Sequence, residues 1–370
     1  MLSRREFART AALAALAPIP LLRNRRDWPG YERAIVIDAL ASPGPFNVPE
    51  RTARPLSGAM IENVRNSGIT AVNVTVNSGG GGHASFDATV RELGYWMREL
   101  SAQSSALTQV RSIADIRSAK ESNKLGLIFG FQDAVMLEGD VSRLNLFHDF
   151  GVRVIQLTYN LRNELGDGCL EPSNAGLSRF GHAVVERMNQ LGMVVDLSHC
   201  GQRTTADAIA ASAAPVAITH SGCNTVFQHP RNKRDDELRA LAQKGGVIGI
   251  YMMPFLNAQG PPRIEHFLQH VEHAVQVCGE DHVGVGSDNS ITPTVADEAY
   301  RKLLMDFAVE RKSRGIAAPR EEEVLFVEEL NTPRRMETLA DQMLARGYSE
   351  SRVEKIIGQN WVRVLGTVWR

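Results

Sequence analysis

Eight strand-length apolar runs, separated by longer stretches, constrain the fold of this 370-residue chain more than any other feature. They occupy 34–38, 69–76, 126–131, 152–158, 192–197, 216–219, 246–252 and 282–286. Apolarity within each run is near-continuous, whereas a strand with one face in water alternates, so the runs predict strands buried on both faces. Segments 56–66, 180–191, 235–244 and 264–278 carry apolar residues at three- and four-residue spacing, which predicts helices between the strands. Gly151, Gly192 and Gly245 fall where a helix must stop before the next run, a position that favours a left-handed cap. Eight alternations read as an α/β fold, a (β/α)8 TIM-like barrel, with a doubly wound sheet as the alternative. Helical patterns at 297–314, 332–346 and 350–368 then predict a C-terminal helical extension packed outside the barrel.

Composition narrows the partners. A formal net charge of -1 argues against nucleic acid or an anionic membrane surface as a partner. Beyond the N-terminus no apolar run is long enough to span a bilayer. Ser3-Arg4-Arg5-Glu6-Phe7, followed by an alanine-rich run to Leu22, matches a twin-arginine export signal. Residues 1–30 are therefore expected to be signal and linker, residues 31–370 a single domain, and the protein periplasmic or exported. Cys169, Cys200, Cys223 and Cys278 show no metal-type spacing; one disulfide is possible, and small buried thiols are the simpler expectation. Gly79 to Gly82 lack the Lys-Ser or Lys-Thr of a phosphate cradle and read as a loop.

The chemistry is expected around Met193 to Arg231. There two apolar runs flank a helical segment, and they end in Asp196-Leu197-Ser198-His199 and in Thr219-His220. Carboxyl ends of parallel strands are where such folds place their chemistry, and neutral imidazoles on neighbouring strand ends suit a zinc-class metal. A structural role in capping the strands is the competing reading of the two histidines. Asp38, Gln132, Tyr159, His199, His220 and Asp288 all close their runs, so six strand ends are expected to converge on one mouth. His266, His270 and His273 share a helical spacing but precede the eighth run, on an outer helix away from that mouth.

Several motifs in order resemble the renal or membrane dipeptidase family of zinc peptidases: Val194-Val195-Asp196-Leu197-Ser198-His199, Ile218-Thr219-His220-Ser221, His229-Pro230-Arg231-Asn232, Asp281-His282-Val283-Gly284-Val285-Gly286-Ser287-Asp288 and Gly358-Gln359-Asn360-Trp361. The resemblance implies a two-zinc (β/α)8 barrel that cleaves dipeptides. It implies that His199 and His220 hold one zinc, that Asp288 serves the other, and that Arg231 grips the substrate carboxylate. Here the chain departs from the pattern. The first-strand His-x-Asp pair falls at Leu40 and Ser42, the bridging glutamate at Gln132, and the histidine after the fourth strand at Tyr159.

An amide can offer one carbonyl oxygen but not the negative charge with which a carboxylate bridges two dications. One zinc per chain is therefore expected, on His199 and His220, with Gln132 or Asp288 completing it. The function implied is hydrolysis of a dipeptide or similar small amide as the small-molecule substrate. Asp288 would orient the water or take its proton, Tyr159 would donate to the oxyanion, and Arg231 with Tyr159 would bind the substrate. The alternatives are a degenerate barrel that binds a peptide-like ligand without cleaving it, or a different reaction on an amino-acid derivative.

Overall fold

The computed structural model describes residues 28–47, 55–77 and 85–369. The expected export segment and the glycine run at 79–82 lie outside them. All eight expected strands form: β1 (Ile37–Asp38), β2 (Ala71–Thr75), β3 (Leu125–Phe131), β4 (Val152–Gln156), β5 (Val194–Asp196), β6 (Ala217–Ser221), β7 (Val247–Ile250) and β8 (Val283–Val285). They pair in parallel in chain order. The backbone N–H of Ala39 donates to Val285 O at 3.0 Å, joining the first strand to the last and closing the ring. A short strand, Leu107–Gln109, adds to β3 off this path. The fold is a (β/α)8 barrel.

Helices Gly58–Ser67, Arg179–Leu191, Asp235–Gln243 and Ile264–Cys278 lie where the periodicity puts them. Phe86–Ala102, Ile113–Glu121 and Arg143–Asp149 are additional. Gly151, Gly192 and Gly245 have φ of 92°, 70° and 81°, the left-handed backbone that ends a helix where a Cβ would be strained.

Side-chain alternation divides the barrel. Ile37, Ala71, Ile128, Val154, Val194, Ala217 and Val247 face inward and form one apolar layer. This layer includes Trp361, Val364, Leu365 and Val368 of the last helix, Asn360–Val368. The C-terminal helix therefore packs across the amino-terminal end of the barrel instead of against its outside. Its approach is close: a Cβ on Gly358 would stand 1.8 Å from Ile35 O.

The same alternation corrects the expectation for Asp38. Ile37 and Ala39 face inward, so Asp38 between them faces out, away from the mouth. There it meets Arg335 of the helix Arg335–Ala345 at 2.9 Å, with both side chains at most 1% exposed. Ser287 donates to it from its N–H at 2.7 Å and its hydroxyl at 2.6 Å. Asp38 is thus a clamp between β1, the end of β8 and the C-terminal extension.

Candidate functional site

Two residues on from the inward apolar layer, polar groups begin. Asp196 at the end of β5 accepts from Ser198 N–H, Ser198 Oγ and Thr219 N–H at 3.0, 2.5 and 3.0 Å, and from Thr219 Oγ1 at 2.6 Å. This carboxylate locks the ends of β5 and β6 together and sets the two histidines that follow.

The two imidazoles converge. His199 Nε2 and His220 Nε2 are 2.9 Å apart. His199 Nδ1 lies 2.7 Å from Asn160 Oδ1, and the Asn160 amide is fixed because its Nδ2 donates to Ile316 O at 2.8 Å. Nδ1 of His199 must therefore be the N–H. His220 Nδ1 lies 2.8 Å from Thr219 Oγ1, whose own hydrogen goes to Asp196, so it too donates. Burial, reinforced by the charge of Arg231, holds both imidazoles well below the ordinary histidine range, hence neutral. Each then carries its lone pair on Nε2, and the two lone pairs face each other. A bound cation relieves that opposition, and a hydrogen bond from the second nitrogen is how metal-ligating histidines are commonly oriented. The pair fits one metal position. Among the described residues no group of three or more His, Cys, Asp or Glu is arranged to hold a metal ion, so His199 and His220 with Asp288 do not form one. Gln132, other neutral oxygens or water would have to complete the shell.

Tyr159 stacks on His199 with ring centroids 4.2 Å apart and 21° between planes. Burial pushes its phenol up, so it keeps its proton and can donate. Arg311 stands 5.6 Å from the Tyr159 ring and is itself paired with Glu321 at 2.6 Å. Arg231 is 2% exposed, so it lies buried below the rim of the mouth. Its Nη1 donates to Ser198 O at 2.5 Å and its Nη2 reaches His220 O at 3.5 Å, tying it to both histidine-bearing strand ends. Asp288 sits across the mouth at φ 59°, its N–H on Leu40 O at 2.8 Å and its Oδ1 accepting from Asn47 at 3.1 Å. Burial pushes Asp288 up to about 7 against the Asn47 hydrogen bond and the Arg231 charge. Gln132 points into the barrel, with its Nε2 on Thr75 Oγ1 at 2.8 Å.

The structure thus joins His199, His220, Tyr159 and Arg231 in one contact set and holds Asp288 and Gln132 by separate anchors. Asn160, Thr219 and Asp196 position this set and Asn47 anchors Asp288; none of the four was singled out as a site residue from sequence. Three of them adjoin or lie within recognised motifs, which is the signal that could have found them. All four cysteines are free; Cys200 and Cys223 are buried, accepting from Thr158 at 3.3 Å and donating to His270 O at 3.4 Å respectively. His270 is buried between Cys223 N–H and Leu256 O, so the three outer-helix histidines form no metal site.

Buried neutral histidines predict acid sensitivity. Burial lowers both His229 and His270 to about 4, while an unfolded histidine titrates at 6.5. Below about 6.5 the unfolded chain binds more protons, so this stability is present above 6.5 and lost as pH falls towards 4. Between pH 7 and 4.5 the two together remove roughly 5 kcal/mol, and the raised Asp288 returns about 3 over the same window. His199 and His220 add to the loss. Burial also raises Asp196, which returns part of this, so urea unfolding at pH 7 and 4.5 should show a net fall smaller than the histidines alone would give; equal or greater stability at pH 4.5 would contradict the neutral assignment.

Comparison with known proteins gives the family of the chain. The family model for membrane dipeptidase (Peptidase family M19) matches residues 58–313. The dipeptidase tcpJ of Claviceps purpurea is 30% identical over 290 residues, 77% of this chain and 61% of that protein. Dipeptidase verJ of Clonostachys rogersoniana is 28% identical, over 77% of this chain and 66% of its own. The chain thus spans less than two thirds of the length of these relatives. A solved amidohydrolase from Pseudomonas aeruginosa superposes with a TM-score of 0.77 at 32% identity, covering 92% of this chain and 98% of its own. At 20% identity, a metallo peptidase from Rhodobacter sphaeroides, solved with a phosphinate mimic of the dipeptide L-Ala-D-Ala, shares the fold, with a TM-score of 0.73 over 91% of this chain and 100% of its own. By the family match and the motifs it spans, this chain belongs to the membrane dipeptidase family.

Proposed function

We propose that this protein hydrolyses a dipeptide or a similar small amide at the carboxyl end of its barrel, with one zinc-class ion on His199 and His220. The observation that carries the reading is the facing Nε2 lone pairs of the two histidines, 2.9 Å apart above Arg231. A divalent metal, when bound, supplies Lewis acidity and a nucleophilic water at neutral pH. In the reaction the water oxygen bonds to the carbonyl carbon and the C–N bond breaks. The proton released by the water passes through Asp288 to the leaving nitrogen. Asp288 suits that role because burial brings it to about 7, where it can both take and give a proton. Tyr159, protonated and stacked on His199, donates to the developing oxyanion. The expected export segment would set the reaction in the periplasm.

Arg231 supplies the substrate's orientation. Two of its five N–H groups reach the carbonyls of Ser198 and His220, and the fork they fix meets a carboxylate one residue beyond the scissile bond. A second reading, a barrel that binds a peptide-like ligand without cleaving it, is favoured by Gln132, whose amide nitrogen is already bonded to Thr75. Assaying a dipeptide and its C-terminal amide separates the two. Arg231→Lys keeps the charge but loses the fork, so kcat/KM on the free carboxylate should fall roughly 10- to 100-fold, the equivalent of about 1.5–3 kcal/mol. Activity on the amide should change little. Equal handling of both substrates by the wild type, or an equal loss on both in the variant, sinks the carboxylate role; no turnover of either favours the binder.

A further inference from the structure

At the ends of β2, β3 and β4 the barrel carries an amide cluster to which the hydrolytic reading gives no task. Asn77 Oδ1 accepts from Gln132 N–H at 3.0 Å. Gln156 Nε2 donates to Gln132 O at 2.5 Å and to Thr158 O at 2.8 Å, and Asn73 Nδ2 donates to Ala39 O at 2.9 Å. Each bond is made to a backbone group whose polarity is fixed, so each amide can face only one way. What remains is one donor, Asn77 Nδ2, and two acceptors, Gln156 Oε1 and Asn73 Oδ1, all without a partner among the described residues. Their side chains are nearly fully buried, at 1%, 0% and 5% exposed for Asn77, Gln156 and Asn73. A buried polar atom left unpaired costs roughly 1–3 kcal/mol, so the two that flank Gln132 at the strand ends, Asn77 Nδ2 and Gln156 Oε1, mark a place that a ligand completes, whereas Asn73 Oδ1 lies deeper in the barrel against Gly130.

The chemistry of that ligand follows from charge. Asp38 faces outward onto Arg335, and Asp196 is engaged by Ser198 and Thr219. Asp133, beside Gln132, accepts from Asn163 and from Ala134 N–H. An ammonium in the cluster would thus lose its water without meeting a free carboxylate there, which is costly. A neutral amide loses far less and uses both polarities.

We infer that the cluster is a subsite for an uncharged amide on the amino side of the scissile bond, so that the substrate is an N-acylated dipeptide and not a free one. Its acyl carbonyl accepts from Asn77 Nδ2, and its N–H donates to Gln156 Oε1. The inference rests on the proposed hydrolase only for the position of the scissile bond.

The test compares N-acetyl-alanyl-alanine with alanyl-alanine, by initial rates where they are cleaved and by titration calorimetry where they are not. Wild type should favour the acetylated ligand by about tenfold or more, in kcat/KM or in Kd. Asn77→Asp keeps the Oδ1 that Gln132 uses and replaces the donor by a carboxylate oxygen, so it should reverse the preference. Asn77→Ala, which serves if the aspartate variant does not fold, should bring the two ligands to within about threefold. Equal or tighter binding of the free dipeptide by wild type, binding of neither, or a ratio untouched by substitution at Asn77 overturns the inference. A preserved preference without cleavage would instead leave the subsite standing and remove the hydrolase.

Discussion

Asp38→Ala is expected to lower the free energy of unfolding by about 3–5 kcal/mol, because it leaves the guanidinium of Arg335 buried without its counter-ion. Arg335 is 1% exposed, and its other contacts are neutral: it donates to Ser290 O at 2.7 Å and to Ser287 Oγ at 3.1 Å. Neutral acceptors do not replace a carboxylate for a desolvated cation. The double variant Asp38→Ala with Arg335→Met removes both charges and should cost clearly less than the sum of the single changes. Urea unfolding of the three variants at pH 7 measures this. A single-variant cost below about 1 kcal/mol would mean that water reaches Arg335 and that the clamp is not buried as described.

His220→Ala should lower turnover by about a thousandfold or more, since several kcal/mol of transition-state stabilisation go with a catalytic metal and the variant keeps one nitrogen ligand. His199→Ala should do the same. Two gentler variants separate ligation from positioning. Asn160→Leu leaves both imidazoles but removes the acceptor at 2.7 Å that fixes His199, and Thr219→Val removes the one at 2.8 Å from His220. Each should weaken metal affinity about 10- to 100-fold, the effect usual for partners that orient a ligand. Rates recovered at high added zinc in these two variants, and not in His220→Ala, would bear out the division. Full activity of His220→Ala without added metal would contradict it.

Much of this architecture is legible in the sequence because strands buried on both faces need unbroken apolar runs, and those runs mark all eight barrel strands. Their ends are less legible. The first strand was expected from Ala34 but pairs only from Ile37, because Val36 N–H is taken by the Thr70 hydroxyl at 3.0 Å. Asp38 was placed in the mouth because it closes an apolar run, whereas facing is set by alternation, and Ile37 and Ala39 already hold the inward positions. Its partner Arg335 lies 297 residues away, a separation across which local pattern carries no information. His199, His220 and Arg231 were legible because strand ends concentrate chemistry and their motifs are specific. The side chains that set tautomers and orientation, Asn160 and Thr219, are ordinary polar residues whose role appears only once the strands bring them within hydrogen-bond reach.

Metal content of the purified protein tests the central claim most directly. Elemental analysis after purification in zinc-containing, chelator-free buffer should find close to one zinc per chain in wild type and almost none in His199→Ala or His220→Ala. No zinc in wild type, or zinc retained unchanged in both variants, would contradict a single metal position built on these two histidines.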